Sequence, residues 1–217
     1  MPASHLRLPE CLIDGYRNFR ETRFPAENRR FKLLAKIGQR PKTMLIGCCD
    51  SRAAPEVIFD ALPGEIFVLR NIANLVPSYQ PNSDPHGTSA ALEFGVTVLK
   101  VRHIVVMGHE NCGGVRAAIE MMDEAQTINH GDFIQNWISP LTKLAAVVQD
   151  DATVANDVKH TELEHRAIRL SLDNLLTFPW IKSAVEVGEL SLHGAWFDIA
   201  NGVLHALDDK AGKFITI

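Results

Sequence analysis

The chain has 217 residues, 26 acids against 22 bases, a net charge of −4 and 46% hydrophobic residues. That length supports one hydrophobic core, and the mildly acidic balance leaves no basic stripe for nucleic acid or an anionic membrane. No apolar run approaches the roughly 20 residues that cross a bilayer, and the opening MPASHLRLPE has no apolar centre of a secretory signal, so a cytoplasmic protein with no membrane or nucleic-acid partner is expected.

In a reducing compartment Cys11, Cys48, Cys49 and Cys112 are expected as free thiols or metal ligands rather than disulfides. The first 38 residues read as two helical stretches, LIDGYRNFRETRF and AENRRFKLLAKIG, the second following Pro25 and closing at Gly38. Three apolar runs of strand length follow: TMLIGC (43–48), EIFVLR (65–70) and HIVVMG (103–108). Between the last two, SAALEFGVTVLKV (89–101) is apolar at helical spacing. From 131 to 177 the pattern is mostly helical, with Leu141, Leu144, Ala145 and Val148 on one stripe and Leu170, Leu172, Leu175 and Leu176 on another. ELSLHGAWFD and GVLHALD predict a closing strand pair turning at Asn201-Gly202.

Strand, loop and helix in alternation predict an α/β fold: a central, mostly parallel β-sheet of about four strands flanked by helices, with an N-terminal helical arm and a C-terminal helical region. No repeat or linker interrupts residues 1–217, which are taken as a single domain. Its parts are the arm (1–38), an α/β core holding the candidate metal site (39–130), and the C-terminal helices and last strands (131–217).

Open α/β sheets bind ligands beyond the carboxyl ends of their strands. The first run ends in GCCDSR and the third in GHENCGG. Strand alternation puts Cys48, Asp50 and Arg52 on one face and Cys49 and Ser51 on the other, so Cys48 accompanies Asp50 and Cys49 is expected in packing. An arginine fork two residues from an acid can hold the carboxylate with two hydrogen bonds and keep it ionised. His109 and Cys112 reach a common point from one turn, and Cys112 precedes a helix whose dipole favours its thiolate. Two thiols and one imidazole from adjacent strand ends make a zinc set that leaves a fourth position for water. Asp50 either fills that fourth position or turns to Arg52.

With these motifs the sequence resembles the β-class carbonic anhydrases, nearest their plant-like branch. CCDSR and GHENCGG carry the likeness, together with PGEIFVLRNIANLVP (63–77), GTSAALEF (87–94), LSLDNLLTFPWIKSAV (170–185) and GELSLHGAWFDIANG (188–202). The resemblance implies Zn²⁺ on Cys48, His109 and Cys112, with Asp50 as a further ligand in a closed state. It implies an acid-arginine pair of Asp50 and Arg52, bicarbonate held by the amide of Gln39, and a pocket of Phe67, Ile72, Phe94 and Gly113, partly from a neighbouring subunit. The implied reaction is reversible hydration of CO2 to bicarbonate and a proton by zinc-held hydroxide, in a homodimer that exchanges its arms or in a dimer of dimers.

Three positions depart from the family pattern: Cys49 stands where serine is common, Phe94 where tyrosine is common, and Val98 where some members have a histidine proposed for proton transfer. They leave the proton route open, with His86, His103 and His130 as candidates by titration range alone. Two thiolates leave less positive charge on the metal than three histidines do, so its water is expected to be less acidic and the rate to rise into alkaline pH. The competing readings are hydrolysis of a CO2 analogue such as carbon disulfide on the same fold, a structural zinc protein, and a dithiol redox protein using Cys48 and Cys49. The last lacks the usual two-residue spacer.

Overall fold

The computed structural model describes residues 8–82, 84–122 and 131–217, and the chain divides into two compact units, Met1–Gln39 and Arg40–Ile217. The first unit is helical. Helix α1 (Glu10–Asn18) passes through a π-helical turn (Phe19–Arg23) into α2 (Phe24–Ile37). Pro25 sits in the first turn of α2, where its missing N–H has no partner to lose, and Gly38, at φ 76°, ends the helix. Phe19, Phe24 and Phe31 pack with ring centroids 5.5 to 5.9 Å apart. Leu12, Tyr16, Leu33 and Ile37 stay exposed.

The second unit is built on strands β1 (Thr43–Cys48), β2 (Ile66–Asn71), β3 (His103–His109), β4 (Ser191–Asp198), β5 (Val203–Asp208) and β6 (Lys213–Thr216), in the order β2–β1–β3–β4–β5–β6. The first four are mutually parallel and the last two antiparallel. The expected count of about four describes the parallel part; the whole sheet has six strands. The fifth is half of the predicted closing pair, which turns at Gly202 with φ 66°. The sixth, KFIT, is four residues with no alternation long enough to read.

Short helices α3 (Pro55–Ile58), α4 (Gly87–Glu93) and α5 (Gly113–Glu120) follow β1, the β2 loop and β3, and α6 (Gly131–Asp150), α7 (Lys159–Leu175) and α8 (Pro179–Glu186) precede β4. The predicted helix over 89–101 is shorter: α4 widens into a π-helical turn, Phe94–Val98. There Gly95 lies against the sheet, where an added Cβ would meet Met44 Sδ at 2.9 Å.

Met44, Ile46 and Cys48 face the helical core on one side of β1, while Leu45 packs with Met107 and Ala195 on the other. Leu141, Ala145 and Val148 of α6 are buried as expected, and Leu144 partly so. The α7 stripe is corrected. Its buried face runs Leu163, Glu164, Ala167, Ile168, Ser171 and Leu175, and Leu176 is 41% exposed. Leu176 follows the last residue of α7, where the helix and its buried stripe have already ended. Helix α7 lies directly on β3 and β4 because Gly108 has no side chain: a Cβ there would come within 2.9 Å of Ile168 Cδ1. This approach sets Glu164 of α7 behind the ends of β3 and β4. No helix among the described residues is long and apolar enough to cross a membrane.

His165 of α7 stacks on Phe214 at 4.1 Å and meets Trp196 edge-on, with its Nε2 buried and without a hydrogen-bond partner. Burial lowers its pKa from 6.5 to about 4. The unfolded chain therefore binds a proton that the folded chain refuses between those values, and stability falls as pH drops through that window. The loss reaches at most about 3 kcal/mol at 1.36 kcal/mol per unit. His165→Phe keeps the stack and removes the titration. Urea melts at pH 7 and pH 4.5 should show a smaller acid loss in this variant than in the native chain; equal losses would refute the assignment.

Candidate metal centre

Strands β1 and β3 are neighbours in register, Gly47 beside Met107, so their carboxyl ends emerge side by side. Cys48 closes β1 and His109 closes β3, while Cys112 caps the N-terminus of α5. All three are buried, and one ligand atom from each lies within 4.8 Å of the others. The two sulfurs are 3.9 Å apart. His109 Nδ1 is 2.9 Å from the Glu110 carbonyl and so donates to it, which leaves the lone pair on Nε2. That Nε2 is buried with no hydrogen-bond partner. A buried nitrogen acceptor facing two sulfurs, with nothing to bond, is what a metal ligand looks like without its ion.

The electrostatics agree. The hydrogen bond shared with Cys112, opposed by burial, lowers the Cys48 pKa below the usual thiol range. The same hydrogen bond, with burial, pushes Cys112 up. The pair thus retains one proton that a divalent cation would displace.

Asp50 follows Cys48 by two residues, where the chain leaves the strand and turns through Ser51–Ala53. Arg52 donates from Nε to Oδ1 at 3.0 Å and from Nη2 to Oδ2 at 2.7 Å, and its backbone N–H donates to Oδ1 at 2.9 Å. The guanidinium hydrogen bond, opposed by slight burial, holds the Asp50 carboxyl well below the usual carboxylate range. Asp50 Oδ2 is 3.9 Å from His109 Nε2. The alternation argument about Cys49 fails here. The strand ends at Cys48, so Cys49 is exposed rather than packed, and it lines a groove of about 660 Å³ with Ile72 and Trp137.

Two residues of RNIANLVP fix the mouth of the site. Arg70 donates to the carbonyls of Cys48 at 2.8 Å and Asp50 at 2.7 Å, tying the β1 exit to β2. Asn71 closes on Leu75 in both directions, at 2.8 and 2.9 Å, across a turn in which Ala73 and Asn74 have positive φ. Sequence reasoning passed over both because neither side chain carries chemistry of its own.

Glu164 was also missed. It is 2% exposed and accepts from the Cys112 backbone N–H at 2.9 Å and from Trp196 Nε1 at 2.9 Å, with His160 Nδ1 at 3.0 Å from Oε1. It holds the backbone amide of Cys112, one of the three candidate ligands, from behind. A glutamate on the buried stripe of α7 was its only signal. Glu164→Gln keeps one acceptor but not both, and metal affinity should fall about 10- to 100-fold, as for other groups that orient ligands. Competition with a chromogenic chelator measures it, and an unchanged affinity would show that the contact does not matter.

Of the predicted pocket residues, Ile72 is 38% exposed beside the site loop, and an added Cβ on Gly113 would meet nothing within 4 Å. Phe67 is elsewhere. It pairs with Met44 while Asn71 pairs with Cys48, so it lies about 13 Å back along the sheet at 3.3 Å per residue. It packs on Phe94 with centroids 6.0 Å apart, and Phe94 is 45% exposed. Gln39 belongs to the first unit. His103 starts the strand that His109 ends, and His130 lies outside the described residues.

Comparison with known proteins points one way. A family model described as carbonic anhydrase matches residues 43–204. A carbonic anhydrase of Pseudomonas aeruginosa is 35% identical over 208 residues, covering 95% of this chain and 90% of that protein. The β carbonic anhydrase 5, chloroplastic, of Arabidopsis thaliana is 39% identical over 186 residues, covering 84% of this chain and 59% of that protein. Among solved structures, the β-carbonic anhydrase CcaA matches with a TM-score of 0.85 at 29% identity, covering 96% of this chain and 91% of that one.

Proposed function

The chain belongs to the β-class carbonic anhydrases and catalyses reversible CO2 hydration, and from that premise we propose that Cys48, His109 and Cys112 hold a zinc ion beside which Asp50 and Arg52 steer the reaction. The observation that carries this is the partnerless, buried His109 Nε2 facing two sulfurs 3.9 Å apart. Two sulfurs and an imidazole suit zinc better than magnesium or calcium, which prefer oxygen. Bound there, zinc acidifies a coordinated water and so supplies a nucleophile near neutral pH.

Asp50 stays ionised across the working range because Arg52 grips both of its oxygens. An ionised carboxylate only accepts hydrogen bonds. Asp50 therefore holds the proton of the attacking water and turns a lone pair toward carbon. Arg52, held in turn by the Asn111 carbonyl at 3.2 Å, keeps the carboxylate from drifting toward the metal. CO2 is small and apolar, so its pocket works by position more than by affinity. Ile72 and the open side of Gly113 border the site from its own chain. Gln39, Phe67 and Phe94 come from a second copy in a homodimer, with Gln39 donating to the oxygen that gains charge. The exposed Phe94, set apart from its own chain's ligands, and the exposed apolar residues of α1 and α2 support this arrangement. Thiolate ligands suit a reducing cytoplasm.

Stopped-flow CO2 hydration across pH, with zinc measured on the same sample, tests the reading. One zinc per chain and a rate rising into alkaline pH are expected. With Asp50 ionised throughout, that rise belongs to the metal's water. One zinc per chain with no acceleration over buffer would leave a structural metal instead, and a rate flat from acid to neutral would refute the argument from thiolate charge.

A further inference from the structure

Each CO2 hydrated releases one proton, and a fast enzyme must pass it to buffer by a group that titrates near neutral and touches both the site and the solvent. Most of the described histidines cannot serve. His103 and His193 bracket Ser191 at 2.7 and 2.8 Å, at the amino ends of β3 and β4. Six residue steps separate His103 from His109 on β3, about 20 Å at 3.3 Å per residue. His160 is turned to Glu164 behind Cys112, and His165 is stacked on Phe214. His205 is on β5, paired with Trp196 of β4.

His86 is placed differently. It precedes α4 and lines a groove with Cys49, Asn71 and Ile72, of which Cys49 follows Cys48 in the chain and Asn71 lies beside Cys48 in the sheet register. It also lines a second cavity of about 280 Å³ on the outer side, with Glu93, Gln80 and Tyr79. One imidazole thus forms part of the wall of both spaces.

Its hydrogen bond fixes which nitrogen is available. Asn82 Oδ1 accepts the backbone N–H of Asp84 at 2.7 Å, so that atom is the amide oxygen and not the nitrogen. The same oxygen lies 2.7 Å from His86 Nε2. An oxygen cannot donate here, so Nε2 carries the hydrogen and the neutral ring keeps its lone pair on Nδ1.

We propose that His86 is the proton relay of this enzyme: Nδ1 takes the proton released at the site through water in the groove and gives it to buffer at the outer cavity, while Nε2–H stays on Asn82. No covalent bond changes; one proton arrives at Nδ1 and one leaves it. Glu93 shares the outer cavity with the ring, and the backbone N–H of Asp84 donates to the same Asn82 oxygen that holds it. The proposal also accounts for the loss of the usual groups. Phe94 and Val98, just after α4, stand where the family pattern has a hydroxyl and a histidine, and His86, just before α4, takes over their task.

The proposal rests on the carbonic anhydrase reading, and one set of measurements separates the two. In zinc-loaded His86→Ala, kcat in dilute buffer should fall on the order of tenfold or more, as expected for removing an acid-base group. The ratio kcat/KM, which includes no step after CO2 conversion, should hold, and concentrated imidazole buffer should restore kcat. Long-range ¹H–¹⁵N spectra of the zinc-loaded native protein should show His86 in the Nε2–H form, and Asn82→Ala should release that preference. A native kcat in dilute buffer, an equal unrescued fall in kcat and kcat/KM, or an Nδ1–H tautomer would each overturn the relay while native hydration stands. A native protein with one zinc and no hydration would instead overturn the parent reading, and the relay with it.

Discussion

His109→Ala will lose its zinc, and its CO2 hydration will fall by about a thousandfold or more, the several kcal/mol that a metal ion supplies to such a reaction. The argument starts from the ring's position. His109 is fully buried at the carboxyl end of β3, its Nδ1 donates to the Glu110 carbonyl, and its Nε2 has no partner. No other residue offers an imidazole in that space among the described ones. Two sulfurs remain in the variant, but two ligands hold zinc far less tightly than three. Truncating a buried ring also costs packing, so lost activity alone would prove little. The discriminating measurement is zinc-dependent stability. Native protein should melt higher as free zinc rises, because zinc binds the folded state. His109→Ala should show no such shift while keeping a cooperative melt. A variant that still binds one zinc tightly and still hydrates CO2 would remove the imidazole from the site.

The cluster of Cys48, His109 and Cys112 was legible because its chemistry is local. GCCDSR and GHENCGG each follow an apolar run, and parallel strands deliver their ends to one edge. Arg70, Asn71 and Glu164 were not legible, since their work is to hold backbone: the Cys48 and Asp50 carbonyls, the Leu75 turn and the Cys112 amide. Backbone partners are set by tertiary approach and leave no spacing to read. Glu164 reaches Cys112 only because Gly108 lets α7 lie close to β3, and that depends on two residues 60 positions apart, Gly108 and Ile168. The exposure of Cys49 was misjudged for a simpler reason: alternation applies only while the strand lasts, and β1 stops one residue before it. The sixth strand was missed because its four residues pair only with β5 and carry no pattern of their own.

Arg52→Ala should keep its zinc and lose about 100- to 1000-fold in kcat/KM, some 3 to 4 kcal/mol of transition-state stabilisation. Arg52 is half exposed, with a side-chain exposure of 50%, so its removal leaves the core intact. What it releases is Asp50, which would lose two side-chain hydrogen bonds that now occupy both of its oxygens. Oδ2 is already 3.9 Å from His109 Nε2. A freed carboxylate that close to a dication has one strong partner to seek, and the position it would take is the one the attacking water needs. Arg52→Lys should fall between the two, because an ammonium offers a point charge and not a fork. Cobalt substituted for zinc separates this from a simple loss of orientation. The native cobalt spectrum should change with pH as water is exchanged for hydroxide, and that of Arg52→Ala should stay constant once the carboxylate fills the place. A variant with low activity but a pH-sensitive spectrum would mean that Arg52 only aims Asp50; native activity would mean that Asp50 needs no restraint from Arg52.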